Sequence, residues 1–128
     1  MLYLLVGIDT EGDNQWPADA RLNQRFENIY ALPDLHERFC RHHARPTYLV
    51  TYPVVKDPRS AAVLRALCEG RDCEIGAHHH AWETPPCEAD DISRHTYAMQ
   101  LPAGQFAAQV ASLTAAIAAE AHVLPEIW

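Results

Sequence analysis

Glu74-Ile75-Gly76-Ala77-His78-His79-His80-Ala81-Trp82 runs from a short apolar stretch straight into three consecutive histidines. The apolar part, with Cys73 before it, reads as a strand, and the histidines fall where that strand ends. Leu2–Ile8 (Leu-Tyr-Leu-Leu-Val-Gly-Ile) is a second such run. It is continuously apolar rather than alternating, which predicts a strand buried on both faces of a parallel sheet. It leads directly into Asp9-Thr10-Glu11-Gly12-Asp13. Thr47–Val50, continuing into Thr51, reads as a further strand between these two.

Helices fill the intervals. The spacing predicts one over Leu32–His43, with Pro33 in its first turn and Leu32, Leu35 and Phe39 as its apolar stripe. Asp57-Pro58 opens another as N-cap and first position; Val63, Leu64 and Leu67 form its buried face and Gly70 stops it. Pro102 starts a long alanine-rich helix to about Ala121, with Phe106, Val110, Leu113 and Ile117 on one face. Asp9–Asn23 and Thr84–His95 read as loops. The order β-α-β-α-β-loop-α predicts an α/β layer of parallel strands joined by right-handed crossovers. Ligand sites in such sheets lie beyond the carboxyl ends of the strands, and both polar motifs sit there.

Composition bounds the function. At 128 residues the chain is one domain's worth. A net charge of −7 argues against nucleic-acid and anionic-membrane binding. Leu2–Ile8 is too short to span a membrane and lacks the flanks of a signal peptide, so a cytoplasmic location is expected. The four cysteines (Cys40, Cys68, Cys73 and Cys87) include no C-x-x-C pair and read as scattered reduced thiols.

The polar motifs carry the chemistry. Asp9 and Glu11 stand at i and i+2, so on a strand end they point the same way. His78 and His80 share that spacing, while His79 faces the other side. Two imidazoles and a carboxylate form the ligand set of a catalytic divalent metal such as zinc, which acidifies water and polarises a carbonyl. Taken alone, the acidic run also suits a solvated turn, and the histidines a polar surface loop or an incidental chelator. Trp16 suits either the wall of a pocket or packing on the core, and with Trp82 it offers aromatic faces of the kind that suit saccharides. His36, His42, His43 and His122 read as surface residues, with His95 a reserve ligand.

Three segments together carry a resemblance: Ile8-Asp9-Thr10-Glu11, Arg45-Pro46-Thr47-Tyr48, and Glu74–Pro86 with its pattern Glu-Ile-Gly-Ala-His-x-His-x-Trp-x-Thr-Pro-Pro. In this order and spacing the chain resembles the polysaccharide deacetylase (NodB-homology) family, particularly its WalW-like branch. The resemblance implies a deformed (β/α) barrel and metal-dependent removal of acetyl groups from N-acetylated carbohydrate, usually with zinc. By position it implies Asp9 as catalytic base and Glu11, displaced by one residue from the commoner adjacent pair, as metal ligand. His78 matches the first metal-binding histidine. Trp82 stands where the second usually lies, so His80 is its substitute. The family's later arginine, acetyl-pocket and general-acid motifs have no counterpart after Glu120. The expectation is therefore a truncated first half of a barrel, with an open sheet edge inviting self-association. Two other readings remain open: an inactive fragment that retains metal, and a sugar-binding module.

Overall fold

The computed structural model describes residues 2–15, 17–70, 72–87 and 97–125; Trp16 and His95 lie outside the described residues. Three parallel strands, β1 (Val6–Thr10), β2 (Pro46–Val50) and β3 (Glu74–Ala77), form an open sheet in the order β1-β2-β3. Six α-helices accompany them among the described residues. These are α1 (Ala18–Leu22), α2 (Glu27–Tyr30), α3 (Leu32–Arg41), α4 (Tyr52–Lys56), α5 (Pro58–Glu69) and α6 (Ala103–Glu120). A 3-10 turn, Ala98–Gln100, precedes α6. None of the helices is long and apolar enough to cross a membrane.

The helix punctuation follows local chemistry. Asp57 caps α5 by accepting a hydrogen bond from the Ser60 amide at 2.7 Å, and Pro58 follows it where no amide proton is needed. Pro33 occupies the first turn of α3 for the same reason. The core lies on one face of the sheet. Tyr48 and Val50 of β2 and Ile75 and Ala77 of β3 pack there against Ile29, Val54, Val55, Leu64, Leu113 and Ile117. Alternation along the strands leaves Gly7, Asp9 and Glu74 exposed and Thr47 and Leu49 half-buried on the opposite face. That face carries a depression of about 670 Å³ lined by Leu4, Leu5, Gly7, Thr47, Leu49, Glu74 and the turn after α3.

Several expectations need correction. The first strand is displaced: pairing starts at Val6 opposite Pro46, and Leu2–Leu5 stay outside it, with Leu2 97% exposed. The cause is the length of β2, which offers no partner upstream of Pro46 because the chain there is leaving α3. β1 is thus an edge strand with one open face, not a strand buried on both. Thr51 leaves the ladder to become the N-cap residue of α4, an unforeseen helix. The first loop contains α1, where Ala18–Leu22 closes a short turn of helix after Pro17.

Two apolar stripes are also redrawn. In α3 the inward face is Leu32 and His36, while Leu35 is 39% exposed. His36 is therefore not a surface residue; its Nδ1 is hydrogen-bonded with the Tyr48 hydroxyl at 3.0 Å, which satisfies both groups in the interior. In α6 the buried positions are Gln109, Leu113 and Ile117, and Phe106 lies at the edge.

Candidate metal centre

Parallel strands bring equivalent chain ends to the same edge of the sheet. Just past the ladder the Thr51 amide donates to the Thr10 carbonyl at 3.1 Å and the His78 amide to the Val50 carbonyl at 2.9 Å. These bonds set Glu11 just past β1 and His78 just past β3. The two strands flank β2, so their ends are separated by two strand spacings, about 9.6 Å. Long side chains cross that interval. Glu11 Oε2 lies 3.1 Å from His80 Nε2 and 3.6 Å from His78 Nε2. The His78 and His80 rings meet edge to face at 4.6 Å, as their i, i+2 spacing requires, and His79 turns away toward α6.

The donor set can be tested against a metal directly. In a tetrahedral site with bonds of about 2.05 Å, neighbouring donors are about 3.3 Å apart. The two separations from Glu11 bracket that value, and one ligand atom from each of Glu11, His78 and His80 lies within 4.8 Å of the others. The residues present therefore fit a divalent ion. Three protein ligands also leave a coordination position for a non-protein group. Among the described residues no other group of three such side chains has this geometry.

The surroundings prepare the histidines as ligands. Burial, reinforced by the neighbouring His80, lowers the His78 pKa below its ordinary value and favours the neutral ring with a free lone pair. Glu83 Oε1 accepts from His80 Nδ1 at 2.7 Å, and Glu83 Oε2 accepts from Gln24 Nε2 at 2.7 Å. A carboxylate on Nδ1 fixes the tautomer and leaves Nε2 for a metal. The Glu83 side chain is only 7% exposed, so this hydrogen bond is sheltered from water. Gly12 makes room for the same shell, since a β-carbon there would collide with Gln15 Nε2 and press on Gln24 Oε1.

On the opposite side of the site, Asp9 is open. Its side chain is 64% exposed, with Oδ1 3.8 Å from His78 Nδ1. Asp9 is thus beside the Glu11–His78–His80 group without belonging to it. Trp82 stacks on His80, with ring centres 4.2 Å apart, and the Arg21 guanidinium lies 4.5 Å from the Trp82 ring centre. Trp16, the other aromatic candidate, falls outside the described residues.

Sequence reasoning passed over Glu83, Gln24 and Gln109. Gln109 is completely buried; its Oε1 accepts from His79 Nε2 at 2.7 Å and its Nε2 donates to the carbonyls of Ala81 at 3.1 Å and Pro86 at 2.9 Å. It pins the histidine turn to α6. Burial also lowers the His79 pKa, with the Gln109 hydrogen bond opposing the shift. Two signals were present in the sequence. Glu83 is three residues from His80, within reach across one turn, and Gln109 is a polar residue interrupting an apolar helical face. Comparison with family models, curated proteins and solved structures gave no match to this chain.

Proposed function

We propose that the chain is a metal-dependent amide hydrolase of the polysaccharide deacetylase type, acting on the acetyl group of an N-acetylated carbohydrate. The observation that carries this reading is the convergence of Glu11, His78 and His80 beyond the carboxyl ends of β1 and β3. The resemblance of the Asp9–Asp13 and Glu74–Pro86 segments supplies the reaction class. The bare sheet face opposite the helices is what the interior of a deformed (β/α) barrel would need, and supports that finer fold and self-association through the open β1 edge.

In this reading Glu11 Oε2 and the Nε2 atoms of His78 and His80 hold the ion, zinc being the natural candidate for the donor set. A bound ion supplies Lewis acidity toward the acetyl carbonyl. Asp9, the exposed carboxylate next to the group, takes the proton from the attacking water. Glu83 holds His80 in its ligating tautomer. Trp82 contributes an apolar wall beside His80 for the sugar, and Trp16 is retained as the second sugar contact. The balanced reaction consumes one water and yields acetate and a free amine.

The test begins with metal content per chain by elemental mass spectrometry, beside a His78→Ala/His80→Ala control. The expected result is about one divalent ion per chain, absent from the control. Acetate release from an N-acetylglucosamine oligomer, lost in Asp9→Asn with metal retained, then supports the hydrolase. Metal without any acetate release would replace the hydrolase with a metal-binding role.

A further inference from the structure

A second chemical pair lies at the opposite end of β3. Cys68 is the penultimate residue of α5, and Cys73 immediately precedes β3. The chain reverses between them, so two thiols that look scattered in sequence meet with their sulfurs 4.0 Å apart. We propose that Cys68 and Cys73 form a peroxide-responsive dithiol, which closes to an intramolecular disulfide at the root of the strand that delivers the histidines.

The geometry favours a disulfide over a metal. No third Cys, His, Asp or Glu completes a ligand group with them among the described residues. A disulfide needs its sulfurs about 2.05 Å apart, so the remaining gap is about 2 Å. The two thiols are also unequal. Cys73 is 7% exposed and belongs to the main core, whereas Cys68 is half-buried at its margin. The two sulfurs share a hydrogen bond in which either can donate; it lowers the pKa of the more exposed Cys68 and, together with burial, raises that of Cys73. Cys68 is therefore the sulfur that meets an oxidant, and Cys73 the one that resolves it.

The oxidant class is a peroxide. Cys68 thiolate attacks one peroxide oxygen: an S–O bond forms, the O–O bond breaks, and the leaving oxygen takes a proton as water or alcohol. The sulfur gives up two electrons and becomes a sulfenic acid. Cys73 sulfur then attacks Cys68 sulfur: the S–S bond forms, the S–O bond breaks, and hydroxide leaves with the Cys73 proton as water. A small thiol reverses the closure by exchange. The bond ties the C-terminal end of α5 to the start of β3 and leaves the Glu11–His78–His80 group, at the far end of that strand, intact.

The test uses the full chain. It is treated with stoichiometric hydrogen peroxide, alkylated, and cut with trypsin and a glutamyl endopeptidase at Arg65, Glu69, Arg71 and Glu74. The expected results are an intact mass lower by about 2 Da before alkylation and, after digestion, a cross-link between peptides 66–69 and 72–74, both reversed by a small thiol. Cys73→Ser is expected to trap Cys68 as a sulfenic acid that reacts with a dimedone probe. Wild-type chain that stays fully alkylatable, that gains oxygen at Cys68 without the cross-link, or that pairs Cys68 with Cys40 or Cys87, overturns the proposal.

Discussion

Removing the Glu83 carboxylate while keeping all three ligand side chains is the sharpest test of how the centre is built. Glu83→Ala deletes both of its hydrogen bonds, to His80 Nδ1 and to Gln24 Nε2, each 2.7 Å long. His80 then loses the acceptor that fixes its tautomer, and its ring keeps the Trp82 stack, the edge-to-face contact with His78 and the approach of Glu11. Losing an outer-shell partner of this kind weakens metal affinity by about 10–100-fold, or about 1.4–2.8 kcal/mol. Glu83→Gln is milder. Its amide oxygen can still accept from His80, but its amide nitrogen then meets the Gln24 amide donor. A neutral acceptor gives about half the strength of a charged one, so the loss should fall near the tenfold end.

Competition with a chromophoric chelator at neutral pH reads these affinities, and far-UV circular dichroism checks that each variant is folded. The expected ranking, tightest first, is wild type, Glu83→Gln, Glu83→Ala, then His80→Ala. Glu83→Ala binding as tightly as wild type while His80→Ala loses the ion would refute the idea that the carboxylate positions the histidine. Equal losses in Glu83→Ala and in a His79→Ala control would reduce its effect to general loosening of the turn.

Three further outcomes are expected. Gln109→Leu should destabilise the chain by about 2–4 kcal/mol in urea titration, because the Ala81 and Pro86 carbonyls and His79 lose their buried partner; a change under about 0.5 kcal/mol would mean that the helix does not depend on this anchor. Burial lowers the pKa of His78 and His79 in the folded chain, so the unfolded chain binds protons more readily. Metal-free stability should therefore be full above about pH 6.5 and decline as pH falls below it, and a flat urea midpoint between about pH 7 and pH 5 would contradict the burial of these rings. Metal titration should change tryptophan fluorescence through the Trp82–His80 stack, and Trp82→Phe should abolish that signal without abolishing binding; a signal that survives must come from another tryptophan.

The element order was legible because its cues are local. Asp57-Pro58, Pro33 and Pro102 mark helix starts through backbone chemistry that needs no tertiary context. The i, i+2 spacing likewise foretold that His78 and His80 would share a side and that His79 would not. The errors arose where a neighbour decides. Leu2–Leu5 has every property of a strand except a partner, which β2 does not supply. His36 looked like surface because its hydrogen-bond acceptor or donor, the Tyr48 hydroxyl, is twelve residues away on another element. Glu83 looked like a loop residue because its value lies in a sheltered contact with His80, which no periodicity encodes.

The candidate centre has two unlike sides, and this asymmetry bears on the proposed hydrolase. On the protein side His80 is 10% exposed and backed by Glu83 and Gln24. On the other side Glu11 and His78 are each 27% exposed, and Asp9 is open beyond them on the bare face of the sheet. Among the described residues the group is therefore more open over Asp9 and His78 than over His80. That is the side from which a carboxylate base could act, and it is the side the helices leave uncovered. The apolar depression around Leu4, Leu5 and Leu49 lies on this same face, upstream along the strands. The depression consequently borders the open side of the Glu11–His78–His80 group. A charge placed at Leu49, a half-buried residue opposite Asp9 in the ladder, should alter substrate affinity before it alters metal affinity. Equal loss of both in Leu49→Lys would place the depression within the metal centre's own support and remove the distinction between the two sides.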